Sequence, residues 1–231
     1  MNQFHYQNIL SDISEGKKSL AILIDPDKFS TSDTASFLQQ LPTETTHLFV
    51  GGSTDANGHT EATVKALKNH SQLPVILFPG DHTQITKFAD AILFLSLLSG
   101  RNPEYLVGQQ LKAVEKLKES KLEVIPTGYI LVDGGTESTV ARVSNTKPLS
   151  QDVVSTIVHT TMAGVFMGAK LIYLEAGSGA INPVRPEIIS EVKKAINIPL
   201  IVGGGIKTEA QKQAAYKAGA DLIVMGTAFE K

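Results

Sequence analysis

The sequence predicts a single (β/α)8 barrel, a TIM barrel, over residues 1–231. Three observations point there. Eight short apolar runs recur along the chain, each closing on or near Gly, Pro, Asp or Ser. The runs are nearly continuous in apolar residues, which is the pattern of parallel strands covered on both faces. And 231 residues suit one such barrel, because eight strand–helix units occupy roughly 250 residues. A doubly wound open sheet is the structural rival.

The runs, in order, are LAILIDP (20–26), HLFVGGS (47–53), PVILFPG (74–80) and AILFLSLLSG (91–100). They continue with LEVIPTGYILV (122–132), KLIYLEAGSG (170–179), PLIVGGGI (199–206) and DLIVMGTA (221–228). Helical spacing, with apolar residues three and four apart, marks 60–70, 103–120 and 185–197. The stretch 208–220 opens on Thr208 as an N-cap and ends near Gly219. The N-terminal stretch also has helical spacing. The third unit is the weakest: only DHTQITKFAD separates strands three and four, so a degenerate third helix is expected. The connection 133–152, DGGTESTVARVSNTKPLSQD, predicts a functional or mobile loop. Lys231 follows the eighth run almost at once, so the eighth helix is expected to be missing or truncated.

Composition excludes several function classes. The net charge of −2 offers no basic field for nucleic acid. With no cysteine, neither a disulfide framework nor a thiolate zinc site can form. The six histidines show no HxxxH spacing, which disfavours zinc further. The first residues show neither the charged start nor the apolar run of a signal peptide, and no apolar run reaches the ~18 residues of a membrane span. A soluble, cytoplasmic protein is expected.

The active site of a parallel barrel lies at the C-terminal ends of its strands. Strand one ends in IDPDK. Asp25 there is suited to Mg²⁺, which takes one or two carboxylates together with phosphate oxygens. It is equally suited to capping the turn around Pro26. Strand two ends in GGSTD, where Ser53 offers a hydroxyl and the glycines allow close backbone approach. Strands seven and eight end in VGGGIKT and MGTAFEK. Paired glycine-rich turns at these positions form the recurrent phosphate site of the fold, through backbone N–H groups. Strand six ends in YLEAGSGA. Tyr173 and Glu175 share a side-chain direction, because strand side chains alternate. Glu175 is placed to accept a proton and Tyr173 to donate to a ligand. Arg101 and Lys28 are candidates for a second phosphate, and equally for solvated surface charges.

Taken in order, LIDPDK, VGGS, PTGYILVDGG, VSNTKPL, YLEAGSGA, VGGGI and AGADLIVMGT resemble the geranylgeranylglyceryl phosphate synthase family, including its PcrB-type members. The resemblance runs from Leu20 to Thr227. It implies a Mg²⁺-dependent prenyltransferase that moves a geranylgeranyl group from geranylgeranyl diphosphate to the C3 hydroxyl of sn-glycerol 1-phosphate, giving an ether lipid precursor. A longer, heptaprenyl donor is the alternative, and a different phosphate-binding barrel, such as a sugar-phosphate isomerase or synthase, is the rival. Residue by residue, the resemblance assigns Asp25 and Ser53 to the metal. It assigns Tyr173, Leu174, Glu175, Ala176, Gly177, Ser178 and Gly179 to the glycerol phosphate loop. Gly204, Gly205, Gly226 and Thr227 form the phosphate clamp. Glu175 and Tyr173 carry the catalytic roles. The prenyl tail needs an apolar groove, for which 78–80, 94–100 and Tyr105 are the candidate walls. The resemblance also implies homo-oligomers and transient membrane contact for product release.

Overall fold

The computed structural model describes residues 3–52 and 58–226. Eight parallel strands close into one barrel in sequence order: β1 (Ser19–Ile24), β2 (Thr45–Val50), β3 (Val75–Leu77), β4 (Ala91–Leu97), β5 (Glu123–Leu131), β6 (Leu171–Glu175), β7 (Leu200–Gly203) and β8 (Leu222–Met225). The ring closes where Ser19 to Ile22 of β1 pair with Leu222 to Met225 of β8. The helices are α1 (Phe4–Ser14), α2 (Thr34–Gln39), α3 (Thr60–His70), α4 (Gln109–Glu119), α5 (Thr139–Ser144), α6 (Val154–Phe166), α7 (Pro186–Ala195) and α8 (Glu209–Ala218).

The near-continuous apolar strands serve two cores at once. Alternate side chains point into the barrel, among them Ala21, Phe49, Ile76, Leu93, Ile125, Leu171 and Ile201. Their neighbours, including Leu20, Ile22, Leu48, Ile172, Leu174 and Val202, pack outward against the helices. This is the physical reason the runs do not alternate with polar residues. At the N-terminal end of the barrel, Glu123 accepts the free amides of His5 and Tyr6 at 2.7 and 2.8 Å. It thereby pins the start of α1, whose Tyr6 joins the inner core.

Helix α8 starts on Thr208, whose side chain and that of Gln211 form a reciprocal capping box, and it ends at Gly219 with φ +118°. Between β3 and β4 there is only a 3₁₀ turn, His82–Gln84, so the third helix is degenerate as the short spacer implied. The stretch 103–120 is not a uniform helix. It starts as a π-helical turn, Glu104–Gly108, and continues as α4. The connection 133–152 is more ordered than a plain loop. It contains α5, capped by Ser138, and a parallel bridge between Val132 and Leu149. The expected loss of the eighth helix falls on residues outside those described.

Candidate active site

Two cavities meet at the C-terminal mouth of the barrel. The larger, of about 340 Å³, mixes polar and apolar walls; Asp25, Asp27, Lys28, Arg142, Tyr173, Glu175, Ser178 and Lys207 reach it, with Gly204, Gly205 and Gly226. The smaller, of about 100 Å³, is mostly apolar and runs between the β3–β4 connection and α4. Gly52, Phe78, Tyr129 and Val140 line both. The two spaces are therefore contiguous.

Glu175 is the centre of the larger space. It ends β6, the barrel interior removes its water, and that burial pushes its pKa up to about 7. Two donors act in the other direction. The Tyr173 hydroxyl leans on the carboxylate and favours its charged form, and the Gly177 amide donates to Oε1 at 2.7 Å. The Tyr173 hydroxyl is fully buried, and among the described residues it makes no well-directed hydrogen bond, its closeness to Glu175 notwithstanding. A carboxyl group poised near neutrality is suited to taking and returning a proton.

Glycine makes room for this arrangement. A Cβ on Gly203 would stand 2.5 Å from the Tyr173 hydroxyl and 2.9 Å from Glu175 Oε2. One on Gly204, whose φ is +78°, would overlap Glu175 Oε1. Gly205 follows at φ +71°. Two consecutive residues at positive φ make a tight turn that glycine adopts without strain, so the backbone can come close to a ligand there. The amides of Gly204, Gly205 and Gly226 have no acceptor among the described residues, and all three glycines line the cavity.

Across the mouth, Asp25 plays the turn-capping part that the sequence left open. Its Oδ1 accepts the Asp27 amide at 3.1 Å, and its Oδ2 lies 3.3 Å from Lys28 Nζ. It also faces the cavity, pressed toward the bare Cα of Gly52. Asp25 fits the role of a magnesium carboxylate because each oxygen keeps lone-pair capacity and the cavity admits phosphate oxygens beside it. Among the described residues no cluster of three His, Asp or Glu exists to hold a metal without such help. Ser53, its expected partner, lies outside the described residues, as does Thr227 of the expected clamp.

The loop 173–179 divides in a way the sequence did not reveal. Tyr173, Glu175 and Ser178 reach the cavity. Leu174 does not: strand alternation turns it into the outer core, where it is fully buried. Ala176 is packed in that core too, and its amide is spent on the Gly203 carbonyl at 3.1 Å. The Gly177 amide is committed to Glu175, so it orders the carboxylate and is not open to a phosphate. Gly179, at φ +75°, is exposed and is not part of the cavity wall, and its amide has no acceptor among the described residues.

The groove contains Phe78, Pro79, Gly80, Phe94, Leu95, Leu97 and Tyr105, as expected. Ser96, Leu98, Ser99 and Gly100 are absent from its wall, Ser96 donating instead to the Leu106 carbonyl at 3.2 Å. Leu98 packs toward Gly128 and Gly164, and Ser99 accepts the Leu131 amide at 2.9 Å. Arg101 is likewise turned away, donating to the Leu98 and Gly100 carbonyls. The cations that reach the site besides Lys28 are Arg142 of α5 and Lys207 after β7, neither ion-paired among the described residues. Sequence reading missed both, together with Tyr129. Strand alternation alone would have placed Tyr129 inward; the two cations have no comparable signal.

Comparison with known proteins identifies the family and the fold. Residues 11–231 match the PcrB family. A geranylgeranylglyceryl phosphate synthase of Zunongwangia profunda is 58% identical over 214 residues, spanning 93% of this chain and 92% of its own. The fold superposes on the crystal structure of (S)-3-O-geranylgeranylglyceryl phosphate synthase from Thermoplasma acidophilum in complex with its substrate sn-glycerol-1-phosphate. That pair has a TM-score of 0.89 at 36% identity, over 98% of this chain and 91% of the other. The wild-type enzyme of Thermoplasma volcanium gives 0.91 at 39% identity, over 98% and 90%.

Proposed function

From the premise that the chain belongs to the PcrB family and is a prenyltransferase acting on glycerol phosphate, we propose its specific reaction. It moves a geranylgeranyl group from geranylgeranyl diphosphate to the C3 hydroxyl of sn-glycerol 1-phosphate. The observation that carries this reading is the position of Glu175. A buried carboxyl with a pKa of about 7 lines the same cavity as Gly204, Gly205 and Gly226, and that cavity shares Gly52, Phe78, Tyr129 and Val140 with an apolar groove.

The acceptor's phosphate is held by the amides of Gly204, Gly205 and Gly226, which need no charged side chain to bind an anion. Its hydroxyl end then points at Glu175. Holding the phosphate away from the carboxylate avoids like-charge repulsion. The prenyl tail lies in the groove past Phe78 and Tyr105, and the donor's diphosphate faces Asp25. Mg²⁺ bound there by Asp25, with Ser53 as the second protein ligand, would neutralise charge on the departing diphosphate. Arg142 and Lys207 add positive charge to the same space. The C1–O bond of the donor breaks, and its electron pair leaves with the diphosphate. The acceptor's C3 oxygen forms the new bond to C1 and releases its proton to Glu175. Fixing both partners in one closed geometry supplies much of the rate.

The test offers labelled sn-glycerol 1-phosphate with farnesyl, geranylgeranyl, farnesylgeranyl and heptaprenyl diphosphates, with Mg²⁺ and with chelator. Preferred use of geranylgeranyl diphosphate, lost with chelator, is the expected result. Preference for heptaprenyl diphosphate would transfer the assignment to the longer donor. No product with any donor would overturn the assigned reaction.

A further inference from the structure

Three aromatic rings meet where the two cavities join. Phe78 follows β3, Tyr129 lies on β5 and Tyr173 on β6. The Phe78 and Tyr173 rings stack at 5.1 Å and 28°. Tyr129 stands tilted to Phe78 at 5.9 Å and edge-on to Tyr173 at 5.4 Å. Tyr129 and Tyr173 are buried, while Phe78 keeps part of its ring open to both spaces. Its position is enforced. Phe78 donates its amide to Val50 at 2.8 Å, and its carbonyl lies so close to Gly51 that any Cβ there would overlap it.

A wall for the prenyl tail needs only apolar bulk, and Leu93, Leu95 and Leu97 provide it along the groove. Phe78 and Tyr129 line the larger cavity as well, so the rings mark the junction. Gly52, which touches Asp25, lines both cavities there too. If the diphosphate faces Asp25, the tail fills the groove and the hydroxyl faces Glu175, the reacting C1 must sit at this junction. Heterolysis of the C1–O bond leaves positive charge on the allylic carbon. A cation within about 6 Å of an aromatic centroid is attracted by the ring quadrupole, and more strongly where water is excluded.

Resting on the prenyl-transfer reading, we propose that Phe78, buttressed by Tyr129 and Tyr173, stabilises the positive charge that develops on C1 of the donor. The ring acts on the transition state more than on the bound substrate, since the charge is absent from the ground state. It changes no bond count: the electron pair still leaves with the diphosphate and the proton still goes to Glu175.

The experiment replaces Phe78 with phenylalanines carrying increasing numbers of ring fluorines, which drain the quadrupole while nearly keeping the shape. Single-turnover rates are read, so that slow product release cannot mask the chemical step. The rate is expected to fall with each fluorine, to a total of about thirty-fold, equivalent to about 2 kcal/mol. Donor affinity stays within about threefold. A second measurement needs no chemistry: calorimetric binding of an analogue with an ammonium at C1, in the presence of inorganic pyrophosphate, against its neutral ether. Wild type should prefer the ammonium, and the fluorinated series should erode that preference. A flat rate across the series, or an ammonium preference indifferent to fluorination, overturns the role of Phe78 while leaving prenyl transfer intact. Absence of turnover by the wild type overturns the prenyl-transfer reading itself.

Discussion

The two sides of the barrel mouth are built on opposite plans. From β6 to β8 the units are regular, and helices α6, α7 and α8 cover the strands. The mouth there is tight and polar, with glycines packed so closely against Glu175 and Tyr173 that a methyl group would not fit. From β3 to β4 the covering helix is reduced to one 3₁₀ turn, and the mouth opens into an apolar groove. On the proposed reading, the first plan fixes a small charged acceptor and the second leaves space for a long apolar donor. The fold obtains two chemistries from one symmetric scaffold by keeping a helix on one side and omitting it on the other.

The largest expected effect comes from removing the acid–base group of the tight side. Glu175→Gln keeps the shape and still accepts the Gly177 amide, but it can no longer take a proton. kcat should fall by 10²–10⁴-fold, with only a slight loss of glycerol phosphate affinity. Separate measurements of kcat and acceptor binding check this. A large loss of binding with little change in kcat would make Glu175 a positioning residue.

The same substitution should alter stability in a pH-dependent way. The folded pKa is raised from 4.5 to about 7. The stability linked to the bound proton is thus complete below about pH 4.5 and is lost as pH rises through about 7. At 1.36 kcal/mol per pKa unit this is roughly 3 kcal/mol. In denaturant melts of ligand-free protein, Glu175→Gln should therefore gain on wild type above neutral pH and show little advantage near pH 4. An equal difference at both pH values would contradict the burial account of Glu175.

A pair of glycine substitutions sharpens the contrast within the phosphate clamp. At Gly204 a methyl group would meet Glu175 Oε1 in a left-handed backbone conformation, whereas at Gly226 the nearest atom would be Leu23 Cβ at 3.4 Å. Gly204→Ala should therefore lower kcat/KM by more than about tenfold. Gly226→Ala should stay within about threefold, because ordinary van der Waals contact costs little. Steady-state kinetics with varied glycerol phosphate read both, and equal effects would show that the clamp tolerates side chains uniformly.

On the opposite rim, Asp25→Asn should lower turnover by about tenfold or more, on the order of 1.4 kcal/mol of barrier. It should also weaken the response to added Mg²⁺. Near-normal activity with an unchanged Mg²⁺ response would remove Asp25 from the metal site. The smallest effect is expected at the exposed cations. Arg142→Met should raise KM for the diphosphate donor a few-fold and flatten its salt dependence, with kcat nearly unchanged. A loss confined to the glycerol phosphate KM would assign Arg142 to the acceptor instead.

Several features followed from the chain itself. The eight apolar runs, the short spacer between β3 and β4 and the cap at Thr208 are local patterns, and local patterns survive being read in one dimension. The glycines at 51–52 and 203–205 were legible as places of close approach, because glycine alone tolerates them. What they approach was not. That Gly51 faces the Phe78 carbonyl and Gly204 the Glu175 carboxylate depends on strands brought side by side by barrel closure. Leu174 and Ala176 were read as part of a binding loop because the resemblance assigns the whole stretch 173–179 to the glycerol phosphate. The strand pleat sends Leu174 outward, and the ladder to β7 consumes the Ala176 amide. The helical order within 133–152, which carries Arg142 to the cavity, had too few residues to show a period. The protonation of Glu175 belongs wholly to tertiary structure. Its pKa is set by the loss of water and by donors from Tyr173 and Gly177, and desolvation exists only once the barrel has closed around the carboxylate.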